Sequence, residues 1–373
     1  MVSSHKQTNM RFHVLCAAII LPLLTTSVSA RFFPNAPSMP PSSPPNATTG
    51  GWDAFKRFAG CHAGDKADGL AKLKEYFHYF GYIPNSNFTD DFDDAFEQAL
   101  KTYQHNFNLN TTGQLDDATL NQIVSPRCGN ADIVNGSSSM NSGKSTPSTS
   151  GHFHTVGHYT FFDGKPVWPE SKRDLTYGFL PDNQLSDTVK AVFTSAFERW
   201  AAVTPLTFTE TDSYYSADLR IAFYTGDHGD GEAFDGVLGT LAHAFSPTNG
   251  RFHLDNDENW VATGDVTKSS ISSAIDLESV AVHEIGHLLG LGHSSVEEAI
   301  MYPTITARTK KVDLASDDIQ GIQELYGSNP NYNGSSTTPS QESESTNNSG
   351  AYTAAPRWSF GILLAVGFGL LML

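Results

Sequence analysis

A histidine-rich segment in the second half of the chain constrains the fold more than any other feature. It reads H-E-I-G-H-L-L-G-L-G-H from His283 to His293. Because His283 and His287 are four residues apart, an α-helix would project them from one face, where both can bind a single cation. Gly290 is suited to end that helix in the left-handed conformation, and Gly292 keeps the chain loose enough to bring His293 to the same cation.

These three histidines define the chemistry that we expect of the segment. Three neutral nitrogen ligands leave one position of a tetrahedral zinc ion open for water, which is a catalytic rather than a structural arrangement. Glu284 stands beside the ligands, and Met301 follows eight residues after the third histidine. This extended motif with its methionine is the metzincin signature and Met-turn, which histidines on an ordinary surface helix would not reproduce.

In these residues, and in Ser294 directly after the motif, the chain resembles the matrix metalloproteinases of the metzincin clan. The resemblance implies a zinc-dependent endopeptidase that hydrolyses peptide bonds with a zinc-activated water, with Glu284 as general base. It also implies an α+β catalytic domain over residues 152–327, in which three helices accompany a mixed, twisted sheet. The alternative that we keep is a catalytically inert, wall-associated binding glycoprotein, although none of the ligands and bases is lost.

Substrate binding is also predicted from the resemblance. The strand at 240–245 resembles the family's edge strand, on which a substrate pairs as an added antiparallel strand. Residues 301–305 should form the outer wall of the primed-side specificity pocket. Ser279 lies one helical turn before His283, and its small side chain indicates a roomy pocket that accepts Leu in preference to Ala or Gly.

A second group of polar residues lies between predicted strands, and its spacing matches the family. Three histidines and a carboxylate would close a structural zinc site without an open position: His228, Asp230, His243 and His253. An oxygen-rich calcium site is expected from Asp235, Gly236, Asp255 and Glu258. The segment at 246–252 is shorter than its animal counterpart, and we expect no second calcium ion there.

Residues 31–151 are interpreted as a propeptide. Apolar residues at helical spacing predict a three-helix bundle over residues 52–125. It resembles the peptidoglycan-binding-like fold of matrix metalloproteinase propeptides, and a carbohydrate-binding bundle is the open alternative. Residues 136–151 are rich in Ser, Gly, Thr and Asn, so we expect an exposed hinge with activating cleavage between about 151 and 157.

The bundle is followed by P-R-C-G-N-A-D at residues 126–132, which is similar to the family's cysteine-switch motif. A thiolate at Cys128 can fill the open zinc position and exclude water, so the proenzyme would be latent. In the family, the arginine and aspartate that correspond to Arg127 and Asp132 pair to support this loop. Asn130-Ala131 replaces the Val-Pro of the animal enzymes, with a loss of backbone stiffness.

The number of cysteines leaves an alternative to this switch. Cys16 lies in a predicted signal peptide, so only Cys61 and Cys128 remain in the secreted chain. In an oxidising compartment these two residues could form a disulfide instead.

Both ends of the chain carry predicted targeting segments. Residues 1–30 have the basic start, short apolar run and small final residues of a signal peptide, with a retained signal anchor as the alternative. A Ser-, Thr- and Asn-rich stalk at 328–350 leads to residues 351–373, whose apolar run at 358–373 is typical of a GPI-attachment signal. Attachment is expected at Asn348 or Ser349, and a membrane helix is the competing interpretation.

Composition and sequons indicate where the protein acts. A formal charge of −17 excludes electrostatic binding to nucleic acid. Six N-glycosylation sequons agree with secretion: Asn46, Asn87, Asn110, Asn135, Asn333 and Asn347. We expect a monomer on the outer face of the plasma membrane, in the apoplast or extracellular matrix, that acts on extracellular proteins. The layout is similar to that of plant matrix metalloproteinases.

Overall fold

The computed structural model of the protein describes residues 52–85, 87–140 and 157–334. The predicted signal peptide, the sequons at Asn46 and Asn347, the cleavage region, and the anchor signal with Asn348 and Ser349 lie outside these residues. Within the described ranges, no helix is long and apolar enough to cross a membrane.

The N-terminal part is a bundle of short helices around an aromatic core. Its helices are a 3₁₀ helix at Asp53–Phe58, α1 at Leu70–Tyr79, α2 at Asp94–Asn106 and α3 at Asp117–Ile123. Asp93 and Asp116 cap α2 and α3, because their carboxylates accept the backbone N–H of Phe96 and Thr119. The apolar faces meet in a core that includes Tyr76, Phe77, Phe96 and Tyr103. The predicted three-helix bundle is confirmed.

A short hairpin follows the bundle and reaches into the predicted hinge. The strands of this region are β1 at Arg127–Cys128, β2 at Ile133–Val134 and β3 at Ser137–Ser138. Asn135 and Gly136 both have positive φ, as a two-residue hairpin turn requires. Met140 is fully buried in the bundle core. The first residues of the predicted hinge therefore belong to the packed structure.

The second part contains a mixed sheet and three helices. Its strands are β4 (Tyr159–Phe161), β5 (Asp174–Phe179), β6 (Thr207–Glu210), β7 (Leu219–Tyr224), β8 (Thr240–Ala244), β9 (Arg251–Asp255), β10 (Asn259–Val261), β11 (Ala274–Asp276) and β12 (Leu291–Ser294). Its helices are α4 (Asp187–Val203), α5 (Leu277–Leu288), α6 (Ser316–Tyr326) and 3₁₀ turns at Pro181–Asn183, Tyr214–Ser216 and Val266–Lys268.

The main sheet has the strand order β1-β8-β9-β7-β5-β6. Strands β8 and β9 are antiparallel, whereas the other neighbours are parallel. Helices α4 and α5 pack together over this sheet, and the Trp200 indole of α4 donates to the Val282 carbonyl of α5 at 2.9 Å. The predicted α+β fold, preceded by a helical bundle, is confirmed.

The start of α6 is stabilised by an acidic side chain in its own first turn. The helix begins at Ser316, and Ala315 occupies the cap position. The Asp318 carboxylate in the first turn accepts the N–H groups of Ala315, Ile300 and Met301 at 2.8 to 3.0 Å. One buried carboxylate therefore stabilises the helix start and fixes the turn that contains Met301.

The predicted stalk also begins later than expected. Asn329 donates from its backbone to the Val203 carbonyl and from its side chain to the Ala201 carbonyl, at 3.1 and 2.9 Å. Tyr332 packs against the main core. Residues 328–332 thus lie on the second domain.

Gly286 offers a test of how tightly α5 is packed. A Cβ atom there would lie 2.3 Å from the Met301 sulfur and 3.1 Å from the Trp200 ring. Gly286→Ala should therefore destabilise the fold by about 1–3 kcal/mol, as overpacking does, although the same change in an open helix stabilises by roughly 0.5–1 kcal/mol. Thermal unfolding of the whole chain measures the difference. Ser195→Ala, at an exposed position of α4, is the control, and a Gly286→Ala protein with a raised Tm would contradict the prediction.

Candidate metal centre and active site

Helix α5 and strand β12 bring His283, His287 and His293 to one buried point. The Nδ1–H groups of His283 and His287 donate to the Ile300 and Leu291 carbonyl oxygens at 2.7 and 2.8 Å. The Nε2 atoms of these two rings are 3.1 Å apart. Because each Nδ1 carries the proton, each Nε2 lone pair is free to bind a cation.

Burial favours the neutral, metal-binding form of these rings. It lowers the pKa of His283 and His287 well below the usual value, and it also lowers the pKa of His293. The Nε2 of His293 is buried and has no hydrogen-bond partner in the described part of the chain. A divalent cation would satisfy this orphaned nitrogen, so the residues fit a metal.

Gly290 has φ +105°, as expected for a residue that ends a helix. Gly292, by contrast, does not lie in a loose segment. It belongs to β12, which pairs with β4, and a Cβ atom there would lie 2.4 Å from the Thr160 hydroxyl oxygen. Close packing of two strands, rather than flexibility, requires glycine at this position.

The Cys128 thiol completes the group of potential ligands. Its sulfur is 3.4 Å from the His287 Nε2, and one ligand atom from each of Cys128, His283, His287 and His293 lies within 4.8 Å of the others. Burial and the neighbouring Glu284 raise the pKa of the thiol well above its usual value. A bound cation would therefore be needed to hold the thiolate there. Both Cys61 and Cys128 are free, so the alternative disulfide is not formed.

Glu284 is fully buried beside the thiol. Burial raises the pKa of its carboxyl group to about 8. Neither carboxylate oxygen has a hydrogen-bond partner of normal geometry among the described residues. The Glu284 carboxylate is thus held close to the metal position, and in the part of the chain that the structure describes it makes no hydrogen bond that would assign it a role in stabilising the fold.

A buried ion pair supports the cysteine loop. The Arg127 guanidinium donates to both Asp132 carboxylate oxygens, at 3.0 and 2.6 Å, and both side chains are 0% exposed. The Tyr82 hydroxyl donates to the same carboxylate at 2.9 Å, and Phe80 lies 3.6 Å below the guanidinium. Although burial opposes it, Arg127 and His293 lower the pKa of Asp132 to about 2.

Asp132 has a second contact that the motif does not reveal. Its Oδ1 accepts the Nδ1–H of His293 at 3.0 Å. The acceptor that orients the third histidine therefore comes from the segment before the catalytic domain. The two residues are 161 positions apart, so no local sequence signal could have indicated the contact.

The segment around Cys128 occupies the edge of the main sheet. Strand β1 pairs in parallel with β8, and the Gly129 N–H donates to the Ala242 carbonyl at 2.8 Å. On the other side, the Cys128 N–H donates to the Pro303 carbonyl at 2.9 Å. The edge predicted to receive an antiparallel substrate is thus already paired, in the opposite direction, by the chain itself.

Side-chain hydrogen bonds of Asn130 support the cysteine loop, which lacks the Val-Pro of the animal enzymes. Its side-chain amide donates to the Ala244 carbonyl at 2.9 Å and accepts the Ala244 N–H at 3.2 Å. Its own N–H points to the Cys128 sulfur at 3.4 Å. The side chain extends the pairing along β8 much as another backbone amide would.

A pocket opens beside the three histidines, between α5 and the segment after Met301. Its volume is about 330 Å³ with its open mouth, and its lining includes Cys128, Ser279, His283, Tyr302 and Lys311. The Ser279 hydroxyl donates to Asp276 at 2.7 Å. Tyr302 also belongs to the bundle core, where its ring meets Phe107 edge-to-face at 5.7 Å. Sequence reasoning missed Lys311, which no motif identifies.

The second polar cluster is assembled by β8, β9 and the loop before them. The Asp230 Oδ2 lies 3.0, 2.9 and 2.8 Å from ring nitrogens of His228, His243 and His253. His243 and His253 are direct cross-strand neighbours on β8 and β9. Burial lowers the pKa of His243 to about 4, and the three rings lower that of Asp230 although burial opposes it. Four converging ligands without an open side fit a structural cation.

Three acidic residues lie next to this cluster. Burial, together with mutual repulsion, raises the pKa of Asp235 to about 8, and burial raises that of Asp255 to about 6. Burial and both neighbours raise that of Glu258 to about 9. Both Glu258 oxygens lack a partner among the described residues, and the Gly236 N–H donates to Asp255 at 3.1 Å. A hard divalent cation would relieve this repulsion.

The sequons within the described ranges all lie at the surface. Asn87, Asn110, Asn135 and Asn333 are exposed. Their side chains are therefore accessible to a glycosylating enzyme.

Comparison with known proteins gives consistent matches. The model of the matrixin family matches residues 167–327, and that of the putative peptidoglycan binding domain matches residues 66–123. Metalloendoproteinase 2-MMP of Arabidopsis thaliana is 56% identical over 356 residues, which cover 93% of each chain. Metalloendoproteinase 1 of Glycine max is 52% identical over 75% of this chain and 89% of its own. Human matrix metalloproteinase-20 is 37% identical over 65% of this chain and 44% of its own.

Asn130→Ala tests whether the side-chain pairing with β8 keeps Cys128 shielded. Loss of two hydrogen bonds, each worth about 0.5–1.5 kcal/mol, should raise the rate of Cys128 alkylation roughly tenfold. The rate is measured with iodoacetamide in a Cys61→Ser background, so that one thiol remains in the secreted chain. Asn121→Ala, at an exposed position of α3, is the matched control. Equal alkylation rates in the two variants would refute the role of Asn130.

Proposed function

Since the chain belongs to the matrixin family and is a zinc metalloendopeptidase, we propose that it is a latent endopeptidase with Glu284 as general base and Cys128 as its own inhibitor. The observation that carries this proposal is the convergence of three imidazole nitrogens and one thiol beside a buried carboxylate. An inert binding glycoprotein would be expected to have lost a ligand or the base, and neither is missing.

His283, His287 and His293 would hold the catalytic zinc, which supplies a Lewis acid and makes its bound water acidic. Glu284 accepts a proton from the attacking water at a carboxylate oxygen. It then passes this proton to the amide nitrogen of the substrate, whose bond to the carbonyl carbon breaks. The water oxygen stays on the carbonyl carbon, so the products are a carboxylate and an amine, without a covalent enzyme intermediate.

Latency follows from the position of Cys128. Its thiolate would be the fourth zinc ligand and would exclude the water. The Arg127–Asp132 pair and the Asn130 contacts support the loop that carries it. Cleavage in the hinge releases this segment and leaves the β8 edge free for a substrate strand.

Two further metal sites complete the proposal. His228, Asp230, His243 and His253 would hold a structural zinc ion. Asp235, Asp255, Glu258 and backbone oxygen near Gly236 would hold calcium. Both ions would stabilise the loop before β8, which has no cysteine to form a disulfide.

The site of action is proposed from the sequence. A signal peptide at 1–30 would direct a propeptide (31–151) and a catalytic domain (152–327) to the outside of the cell. The stalk (328–350) and the GPI signal would then anchor a glycosylated monomer in the outer face of the plasma membrane. Its substrates would be extracellular proteins.

The secreted chain should cleave a quenched matrix metalloproteinase peptide only after treatment with a mercurial, which reacts with the Cys128 thiol. Cys128→Ser should be active without treatment, whereas Glu284→Ala should lose activity about 100-fold or more. Elemental analysis of the same preparations should find two zinc ions and one calcium ion per chain. A zinc-loaded wild-type protein that stays inactive under all conditions would favour the binding-glycoprotein alternative.

Phosphatidylinositol-specific phospholipase C tests the anchor. The full chain expressed on cells should move from the membrane fraction to the medium on treatment, because a GPI anchor is its only proposed membrane attachment. A chain truncated before residue 351 is the control and should be secreted without treatment. Protein that remains in the membrane fraction after treatment would indicate a membrane helix instead.

A further inference from the structure

A lysine that the proposed mechanism does not use, Lys311, lies in the lining of the pocket beside the three histidines. One wall of the pocket is formed by Ser279, Val280 and His283 of α5, and the other by residues 302–305. Lys311 completes the lining. A pocket next to the catalytic centre in this position would receive the side chain that follows the scissile bond.

Hydrogen bonds hold Lys311 in place from both ends. Its backbone N–H donates to the Ser279 hydroxyl at 2.8 Å. Its ammonium group donates to the carbonyl oxygens of Ala299 and Glu297 at 2.8 and 3.1 Å. The nitrogen lies 5.5 Å from the centre of the Tyr302 ring, which is itself a wall of the pocket. The charge is therefore held beside the Tyr302 wall of the pocket.

No carboxylate within the described ranges forms an ion pair with Lys311. Its neighbour Lys310 is different, because its ammonium is partly exposed and lies 2.7 Å from Glu278. Burial lowers the pKa of Lys311 to about 8, although more distant carboxylates oppose the shift. An ammonium group has three N–H donors, and two of them are used by the carbonyl oxygens. The third donor of this partly buried charge is therefore available to a ligand in the pocket.

We propose that Lys311 is a specificity-determining residue: among side chains of equal length after the scissile bond, it favours those that end in an oxygen acceptor and rejects those that end in a cation. An acceptor supplies a third hydrogen bond to a charge that is only partly exposed to water, whereas a second cation in the same pocket is repelled. Glutamine and glutamate are thus favoured over methionine, and lysine is excluded. This inference rests on the proposed function and adds a substrate class to it.

The test uses four peptides that differ only in the residue after the scissile bond: Met, Gln, Glu or Lys. The mercurial-activated chain should cleave the Glu peptide with a kcat/KM at least about tenfold above that for the Lys peptide. Lys311→Met removes the charge at nearly constant length and should reduce this ratio about tenfold or more. Lys310→Met, the matched control, should leave it within about twofold.

Each outcome has a distinct meaning. A wild-type enzyme that cleaves the Lys peptide as fast as the Glu peptide overturns the inference, whatever the variants do. The inference is also overturned if Lys311→Met is active and its ratio of kcat/KM for the Glu peptide to that for the Lys peptide is unchanged. If Lys311→Met fails to fold, Lys311→Arg decides, because it must keep the preference for Glu over Lys. If the wild-type chain cleaves none of the peptides, the proposed function falls, and this inference falls with it.

Discussion

The buried pair of Arg127 and Asp132 is the contact on which the link between the helical bundle and the second domain depends. Two fully desolvated charges are tolerated in a protein only when nearly all their hydrogen bonds are made. Here Tyr82 and His293 use the remaining acceptor sites of Asp132, while Phe80 covers the guanidinium. Since His293 is one of the three histidines of the candidate metal centre, the helical bundle and this centre share a single hydrogen-bonded network.

The same segment solves a second problem, which is the exposed edge of the main sheet. Without β1, the outer side of β8 would have free N–H and C=O groups that could bind any extended chain. Strand β1 covers this edge, and Asn130 extends the cover to Ala244. Because β1 runs parallel to β8, the segment proposed as inhibitory has the opposite direction to the antiparallel substrate that the family resemblance predicts.

The structural features that the sequence predicted are those that depend on the spacing of neighbouring residues. The helical periodicity of the bundle and the two histidines one turn apart follow from neighbouring residues. The contacts that the sequence did not reveal join distant parts of the chain. Asp132 reaches His293, Asn130 reaches Ala244, and Lys311 reaches the pocket through its bond to Ser279. Such contacts depend on how the elements pack, which no periodicity encodes. The same reason explains why Met140 and Asn329 extended the packed domains into segments that composition alone assigned to hinge and stalk.

Tyr302 belongs to the pocket wall and, at the same time, to the core of the bundle. Phe107 packs on this same ring, so the apolar surface that would bind a substrate is covered by the bundle. If the bundle inhibits the enzyme as proposed, the two affinities are coupled at this residue, because a ring that binds substrate more strongly would also bind the bundle more strongly. A gain in substrate affinity there would slow the release of the bundle, and catalytic efficiency and ease of activation would be opposed in one side chain.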